Sequence, residues 1–270
     1  MILVNGVETD SVQATDRGLA YGDGVFRTLR IQAGKVRCWA RQFSKLEADC
    51  AVLHIPCPPR SVLSQAVISA ADAEPDCIAK LIVTRGNSMR GYAPPLSPTV
   101  TWVMLTAPVP PTLQRRRKDG VKLRLCETRL GLQPRLAGVK HLNRLENVLA
   151  RKEWTCQETA EGLMLDAEGY LIAGTMSNLF LVRGNRLYTP DLSRCGVAGV
   201  QRARVLDCAQ ALGITVNIGQ LRLPDLLAAE EVFLTNSVIE LWPVQEFEGK
   251  HWPSGSLAVT IGEWLQEHDD

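Results

Sequence analysis

The sequence predicts an α/β protein of the α+β type in two domains, on three observations. Short apolar runs of strand length alternate with two helical patterns in the first hundred residues. A proline-rich stretch, Ala107-Pro108-Val109-Pro110-Pro111, followed by Arg115-Arg116-Arg117-Lys118, then interrupts the pattern. A second series of apolar strands and helices comes after it. Proline has no amide donor and a fixed φ, so such a stretch disfavours helix and ladder alike and reads as a stiff linker. The expected division is a small domain over 1–107, a linker over 108–119 and a larger domain over 120–270.

In chain order, Met1–Val4 and Val7 read as strand around the turn signal Asn5-Gly6. Gly22-Asp23-Gly24 reads as a tight turn into a strand over Val25–Gln32, closed by Ala33-Gly34. A helix fits Arg41–Leu53, where Phe43, Leu46, Ala48, Cys50 and Leu53 share a face, and Pro56, Pro58 and Pro59 end it. A second helix fits Ser61–Ala71, with Ser61 as candidate N-cap. Ala79–Arg85 and Thr99–Thr106 read as buried strands. In the second domain the strands expected are Val121–Cys126, Gly162–Asp166, Leu179–Val182 and Val232–Thr235. Its expected helices are His141–Trp154, Val200–Leu212 (stopped by Gly213) and Leu257–Glu267.

Composition removes several classes. Thirty basic residues against twenty-nine acidic ones leave a charge of +1, which gives no electrostatic reason for a nucleic-acid or anionic-membrane partner. The run at 115–118 lacks interleaved aromatics and reads as a solvated flank. No apolar run approaches the ~18 residues of a membrane helix. The start has no basic stretch of the kind that opens a signal peptide. Eight scattered cysteines, with no CxxC pair, argue against a metal site and for reduced thiols in a cytoplasmic setting.

The most informative segment is Leu136-Ala137-Gly138-Val139-Lys140-His141-Leu142-Asn143-Arg144-Leu145-Glu146-Asn147. Apolar surroundings lower a lysine's pKa, and the neutral amine is the form that attacks a carbonyl. Taken alone, a lysine at a helix start is far more often a solvated surface residue than a reactive amine. Three further segments accompany it in order: Arg17-Gly18-Leu19-Ala20-Tyr21-Gly22-Asp23-Gly24-Val25-Phe26, Ser177-Asn178-Leu179-Phe180 and Gly196-Val197-Ala198-Gly199-Val200-Gln201-Arg202. With these the sequence resembles the fold-type IV pyridoxal-phosphate enzymes over nearly its whole length. That family holds branched-chain aminotransferases, D-amino-acid aminotransferases and 4-amino-4-deoxychorismate lyases. The wording around Lys140, and Arg85-Gly86 with Arg90-Gly91-Tyr92, looks most like the lyase branch.

The resemblance implies a small N-terminal α/β domain, a larger C-terminal domain with a barrel-like sheet, and pyridoxal 5'-phosphate between them. It also implies a homodimer acting on a small molecule. Lys140 would carry the cofactor and serve as general acid and base. Gly199, Val200 and Gln201 would meet the phosphate at a positive helix end, where a plain turn is the alternative. Asn178 joins the cofactor-binding set; Asn236 and Ser237 would add a second phosphate contact, with strand-end capping as the alternative. Phe26 and Thr28 alternate onto one strand face and would line the site. Thr28 would deliver a proton near the leaving group, unless it is a structural cross-strand threonine. Arg90, whose fork suits a carboxylate, and Tyr92 would bind substrate, a surface arginine being the alternative.

Three positions depart from the family. Lys45 stands where an arginine usually holds the phosphate, and Arg27 stands where the residue is commonly acidic and would supply a cation near that phosphate. Ala173 stands where a glutamate usually meets the pyridine nitrogen. Alanine cannot stabilise a protonated ring, which implies a weaker electron sink and a bias from transamination toward elimination. The activity implied is conversion of 4-amino-4-deoxychorismate to 4-aminobenzoate and pyruvate for folate synthesis. Its rivals are an aminotransferase of the same fold, acting on D- or branched-chain amino acids, and a non-catalytic binding protein derived from that fold.

Overall fold

The N-terminal apolar runs form one antiparallel sheet. In the computed structural model, which describes residues 1–253 and 255–268, this sheet belongs to the first of two units, residues 1–110 together with Val139–Asn143. Its elements are β1 (Ile2–Val4), β2 (Val7–Glu8), α1 (Arg17–Tyr21), β3 (Gly24–Gln32), β4 (Lys35–Val36), α2 (Trp39–Val52), α3 (Arg60–Ala73), β5 (Cys77–Thr84) and β6 (Thr101–Pro108). The strand order is β2-β1-β6-β5-β3-β4. The sheet buries one face against α2 and α3, and period-two alternation decides which side chains go there. Val25, Leu29, Ile31, Ala79, Leu81 and Val83 meet Phe43, Leu46 and Leu63 in that core. Each large aliphatic side chain so buried contributes about 1.5–3 kcal/mol.

The other face of β3 and β5 carries Phe26, Thr28, Ile78, Lys80 and Ile82, all half-buried. The N-terminal half of β3 would be a bare sheet edge but for residues 139–143. Phe26 donates its amide to the Lys140 carbonyl (3.0 Å), Leu142 donates to the Gly24 carbonyl (2.9 Å), and Val25 bridges His141 antiparallel. This corrects the expected helix over His141–Trp154. The edge of β3 takes the backbone of 140–142, so the helix begins only at Leu145, and Lys140 sits on an extended segment. Ser61 is likewise not an N-cap: Pro59 holds that place, and Ser61 lies in the first turn of α3.

The second unit comprises, among the described residues, Pro111–Gly138 and the chain from Arg144 to His268. It contains α4 (Leu113–Asp119), β7 (Val121–Leu125), α5 (Leu145–Arg151), β8 (Thr159–Leu165), β9 (Leu171–Gly174), β10 (Asn178–Arg183) and β11 (Arg186–Pro190). It continues through α6 (Val200–Ala211), β12 (Thr215–Gly219), α7 (Leu223–Leu227), β13 (Glu231–Asn236), β14 (Glu240–Phe247), β15 (Lys250–His251) and α8 (Ser256–Glu267). The sheet order is β12-β11-β10-β13-β14-β7-β8-β9, with β15 on β14, and it curls so that β9 approaches β10. Phe180 and Phe233 stack at 5.1 Å beneath α6 and α8. Cys126, Trp154, Met164, Ile172, Ala173 and Cys195 form a separate apolar cluster. Helix α4 occupies residues read above as linker. Its basic last turn complements the helix C-terminus, with Arg117 paired to Glu240 and Arg116 5.4 Å from the Trp242 ring.

Candidate active site

In the first unit the extended segment fixes Lys140 from both sides of its backbone. Its carbonyl is bonded to Phe26 of β3, and its amide donates to Oδ2 of Asp49 on α2 at 3.2 Å. The Lys140 Nζ then lies 4.3 Å from the centre of the Phe26 ring. An ammonium on an aromatic face is attracted by the ring quadrupole. Thr28 follows Phe26 on the same half-buried face. The structure therefore brings Lys140, Phe26 and Thr28 to one face of one sheet.

Asp49 was not among the residues singled out from the sequence, yet it organises the charges here. It is 1% exposed; Oδ1 accepts from Lys45 Nζ, and Oδ2 lies 3.6 Å from Arg27 Nη1. Arg27 points to the helix side of the sheet, away from Phe26 and Thr28, and is buried among Val25, Leu29 and α2. Burial pulls its pKa down and Asp49 pulls it back up. Its Nη1 makes no hydrogen bond among the described residues. Lys45 and Asp49 are four apart on α2, a spacing readable from sequence, but only the fold shows the acid to be buried.

Arg90 and Tyr92 lie on an exposed loop, where Tyr92 packs on Tyr21 at 5.4 Å. The loop is held from below by Arg17, which donates to the carbonyls of Gly91 (3.1 Å) and Tyr92 (2.9 Å) and to Asp23 (2.7 Å). Arg85 grips both oxygens of Asp23 (2.8 and 3.0 Å) and the carbonyls of Leu53 and His54. Burial raises the Asp23 pKa, but the Arg85 and Arg17 hydrogen bonds outweigh it and hold the carboxyl below its usual value. The stability this contributes is present above the unfolded-chain pKa of about 3.9 and is lost as pH falls through the lower folded value. Asp23→Ala leaves two guanidinium groups without their acid and should cost about 2–3 kcal/mol in urea unfolding at pH 7. The difference from wild type should shrink below about pH 3.5; an undiminished difference at acid pH would separate Asp23 from this linkage.

In the second unit, Gly138 and Val197 form a parallel bridge, and the chain then enters α6 through Gly199. The Asn178 side chain pins that entry, donating to the Val197 carbonyl (2.8 Å) and accepting from the Gly199 amide (3.2 Å). A Cβ on Gly199 would stand 2.4 Å from Asn178 Oδ1, so only glycine fits this close approach. No side chain caps α6, which leaves the first-turn amides of Val200 and Gln201 as donors at a positive helix end. Gln201 Nε2 and the hydroxyl of Thr235, the register partner of Asn178, are buried with no hydrogen-bond partner among the described residues. Uncapped amides with orphaned buried donors suit an anion such as a phosphate.

Asn236 is otherwise occupied: Oδ1 accepts from Val238 and Ile239, and Nδ2 donates to the Met176 carbonyl. Ser237 follows it, half-buried. Ala173 pairs with Met164 in β9, inside the apolar cluster. The buried acid of this region is Glu161 of β8, a second residue missed in the sequence. Its carboxylate accepts from the amides of Gly162 (3.0 Å), Thr175 (3.0 Å) and Met176 (3.1 Å) and the hydroxyls of Thr175 and Ser177. Burial pushes its pKa up, while those donors pull the other way. Among the described residues no helix is long and apolar enough to cross a membrane, and no cluster of three metal-ligating side chains occurs.

These features define a class. Residues 24–247 match the model of the amino-transferase class IV family, and the chain belongs to that family. It has the mixed α/β architecture of fold-type IV. Aminodeoxychorismate lyase of Vibrio harveyi is 38% identical over 97% of this chain and 96% of its own length. The crystal structure of 4-amino-4-deoxychorismate lyase from Pseudomonas aeruginosa superposes with a TM-score of 0.94 at 43% identity, covering 99% of this chain and 98% of that one. D-alanine aminotransferase of Bacillus licheniformis is 26% identical over 91% of this chain and 86% of its own length.

Proposed function

We propose that the chain is a pyridoxal-phosphate-dependent lyase that converts 4-amino-4-deoxychorismate to 4-aminobenzoate and pyruvate, a step of folate synthesis. The observation that carries this reading is the Lys140 amine, held by its own backbone bonds 4.3 Å from the Phe26 ring centre in a chain that is 38% and 43% identical to two lyases. Lys140 would bear the cofactor. The amides of Val200 and Gln201, at the glycine entry to α6, would take its phosphate, with Lys45 and Ser237 as further donors. When bound, the cofactor withdraws electrons from the amine-bearing carbon of the substrate. Lys140 Nζ takes the proton from that carbon. Thr28, on the same face, passes a proton to the departing enolpyruvyl oxygen, which leaves as pyruvate. Aromatisation of the ring drives the elimination.

The test is a paired assay of purified protein with added pyridoxal phosphate. Equal amounts of 4-aminobenzoate and pyruvate from 4-amino-4-deoxychorismate support the lyase. Turnover of D-alanine or of a branched-chain amino acid with 2-oxoglutarate alone establishes the aminotransferase, and none of these reactions leaves a binding protein. Lys45 adds a second prediction. Its charge lacks a planar fork, and Asp49 already engages it. Lys45→Arg should tighten cofactor binding by about 1 kcal/mol in spectroscopic titration. Unchanged affinity in both Lys45→Arg and Lys45→Ala would remove Lys45 from the phosphate.

A cytoplasmic homodimer completes the proposal. Its supports are eight cysteines left unpaired, suited to a reducing compartment, and an exposed stripe of Leu145, Val148 and Leu149 along α5. Light scattering reporting a single chain would overturn the dimer.

A further inference from the structure

The proposed reaction divides one substrate into 4-aminobenzoate and pyruvate, so that substrate carries two carboxylates, one for each product. The reading above supplies a cation for one of them, Arg90. The sheet face that holds Lys140 presents another. On β5 the residues Cys77, Ala79, Leu81 and Val83 are buried against the helices, while Ile78, Lys80 and Ile82 turn to the opposite face. The β3–β5 register sets Thr28 directly opposite Lys80 and Phe26 opposite Ile82. Lys80 Nζ lies 4.9 Å from the Phe26 ring centre, the ring that also receives Lys140 Nζ at 4.3 Å.

This is an unusual place for an ammonium. Strand β5 lies inside the sheet between β3 and β6, and Lys80 is half-buried and flanked by isoleucines. It has no ion pair or hydrogen bond among the described residues. A partly desolvated cation with no acid beside it favours an anion that arrives from outside. Opposed side chains on a sheet have Cβ atoms about 4.5–5.5 Å apart, so Lys80 and Thr28 address the same portion of a bound molecule.

We propose that Lys80 is a substrate-binding residue whose ammonium takes the carboxylate of the departing enolpyruvyl group, beside the Thr28 hydroxyl that serves the same group. This rests on the lyase reading. It also supplies a basis for specificity, because a simple amino acid such as D-alanine has no second carboxylate to offer.

The experiment is steady-state kinetics on the holoenzyme and two variants. A wild-type protein that forms no 4-aminobenzoate overturns the lyase reading before any variant is compared. Given lyase activity, Lys80→Gln should raise KM for 4-amino-4-deoxychorismate about 10- to 100-fold, the range of one charge-assisted hydrogen bond, with kcat changed less than about threefold. Lys80→Arg should recover most of the loss. Product inhibition by pyruvate should weaken in Lys80→Gln, and that by 4-aminobenzoate should not. An unchanged KM in Lys80→Gln, a loss confined to kcat, or weakened inhibition by 4-aminobenzoate instead of pyruvate would overturn the assignment while leaving the lyase intact.

Discussion

Lys140→Ala is expected to lower lyase turnover by about four orders of magnitude or more while leaving the fold almost unchanged. The activity term follows from the role of the amine. In the proposed reaction it bears the cofactor and moves the proton at the amine-bearing carbon. The stability term follows from the backbone. The bonds from Lys140 carbonyl to Phe26 amide and from Lys140 amide to Asp49 help hold this segment, and neither uses the lysine side chain. An alanine keeps both. Thermal melting of the apoprotein should move by less than about 3 °C, since an exposed or half-buried substitution away from a core feature stays within about 0.5 kcal/mol. Residual turnover above one hundredth of wild type would show that another amine carries the chemistry.

The second large effect concerns stability. Glu161→Ala removes the acceptor for the amides of Gly162, Thr175 and Met176 and for the hydroxyls of Thr175 and Ser177. Buried donors left without a partner each cost about 1–3 kcal/mol, and water entering the gap recovers part of that. A net loss of about 3–5 kcal/mol is expected in urea unfolding. Glu161→Gln should recover less than half, because its amide nitrogen would face hydrogen-bond donors at one of the two oxygen positions. The loss should reach the cofactor as well. The loop at 175–177 runs directly into Asn178, which pins the Gly199 entry to α6. Pyridoxal phosphate affinity, measured by fluorescence below the unfolding temperature of each variant, should therefore fall about tenfold in Glu161→Gln. A Glu161→Gln protein as stable as wild type would show that the carboxylate charge is dispensable to the loop.

The four ordered segments that carry the family resemblance pointed to Lys140, Phe26, Thr28 and the glycine entry to α6; local spacing alone left each with a plain structural reading. A strand's alternation puts Phe26 and Thr28 on one face, and a glycine-rich approach precedes a helix. The helix expected from His141 was misplaced for a non-local reason: the β3 edge, more than a hundred residues earlier, takes the backbone of 140–142. Asp49 and Glu161 stayed hidden because an acid on an amphipathic helix or in a strand run looks the same in sequence whether exposed or buried. Lys80 was passed over for the same reason, since its neighbours on the sheet face come from β3. Short elements escaped as well. The five residues of α1 and four of β9 are too few to show a period, and β14 carries a proline and three charged or amide groups within its eight residues.

The central claim is that Lys140 carries the cofactor on the open face of the first unit's sheet. Its most direct test is borohydride reduction of the holoprotein followed by peptide mapping. A single pyridoxyl group on Lys140 is the predicted result. A label on Lys80, which shares the Phe26 ring, or on any other lysine would contradict it.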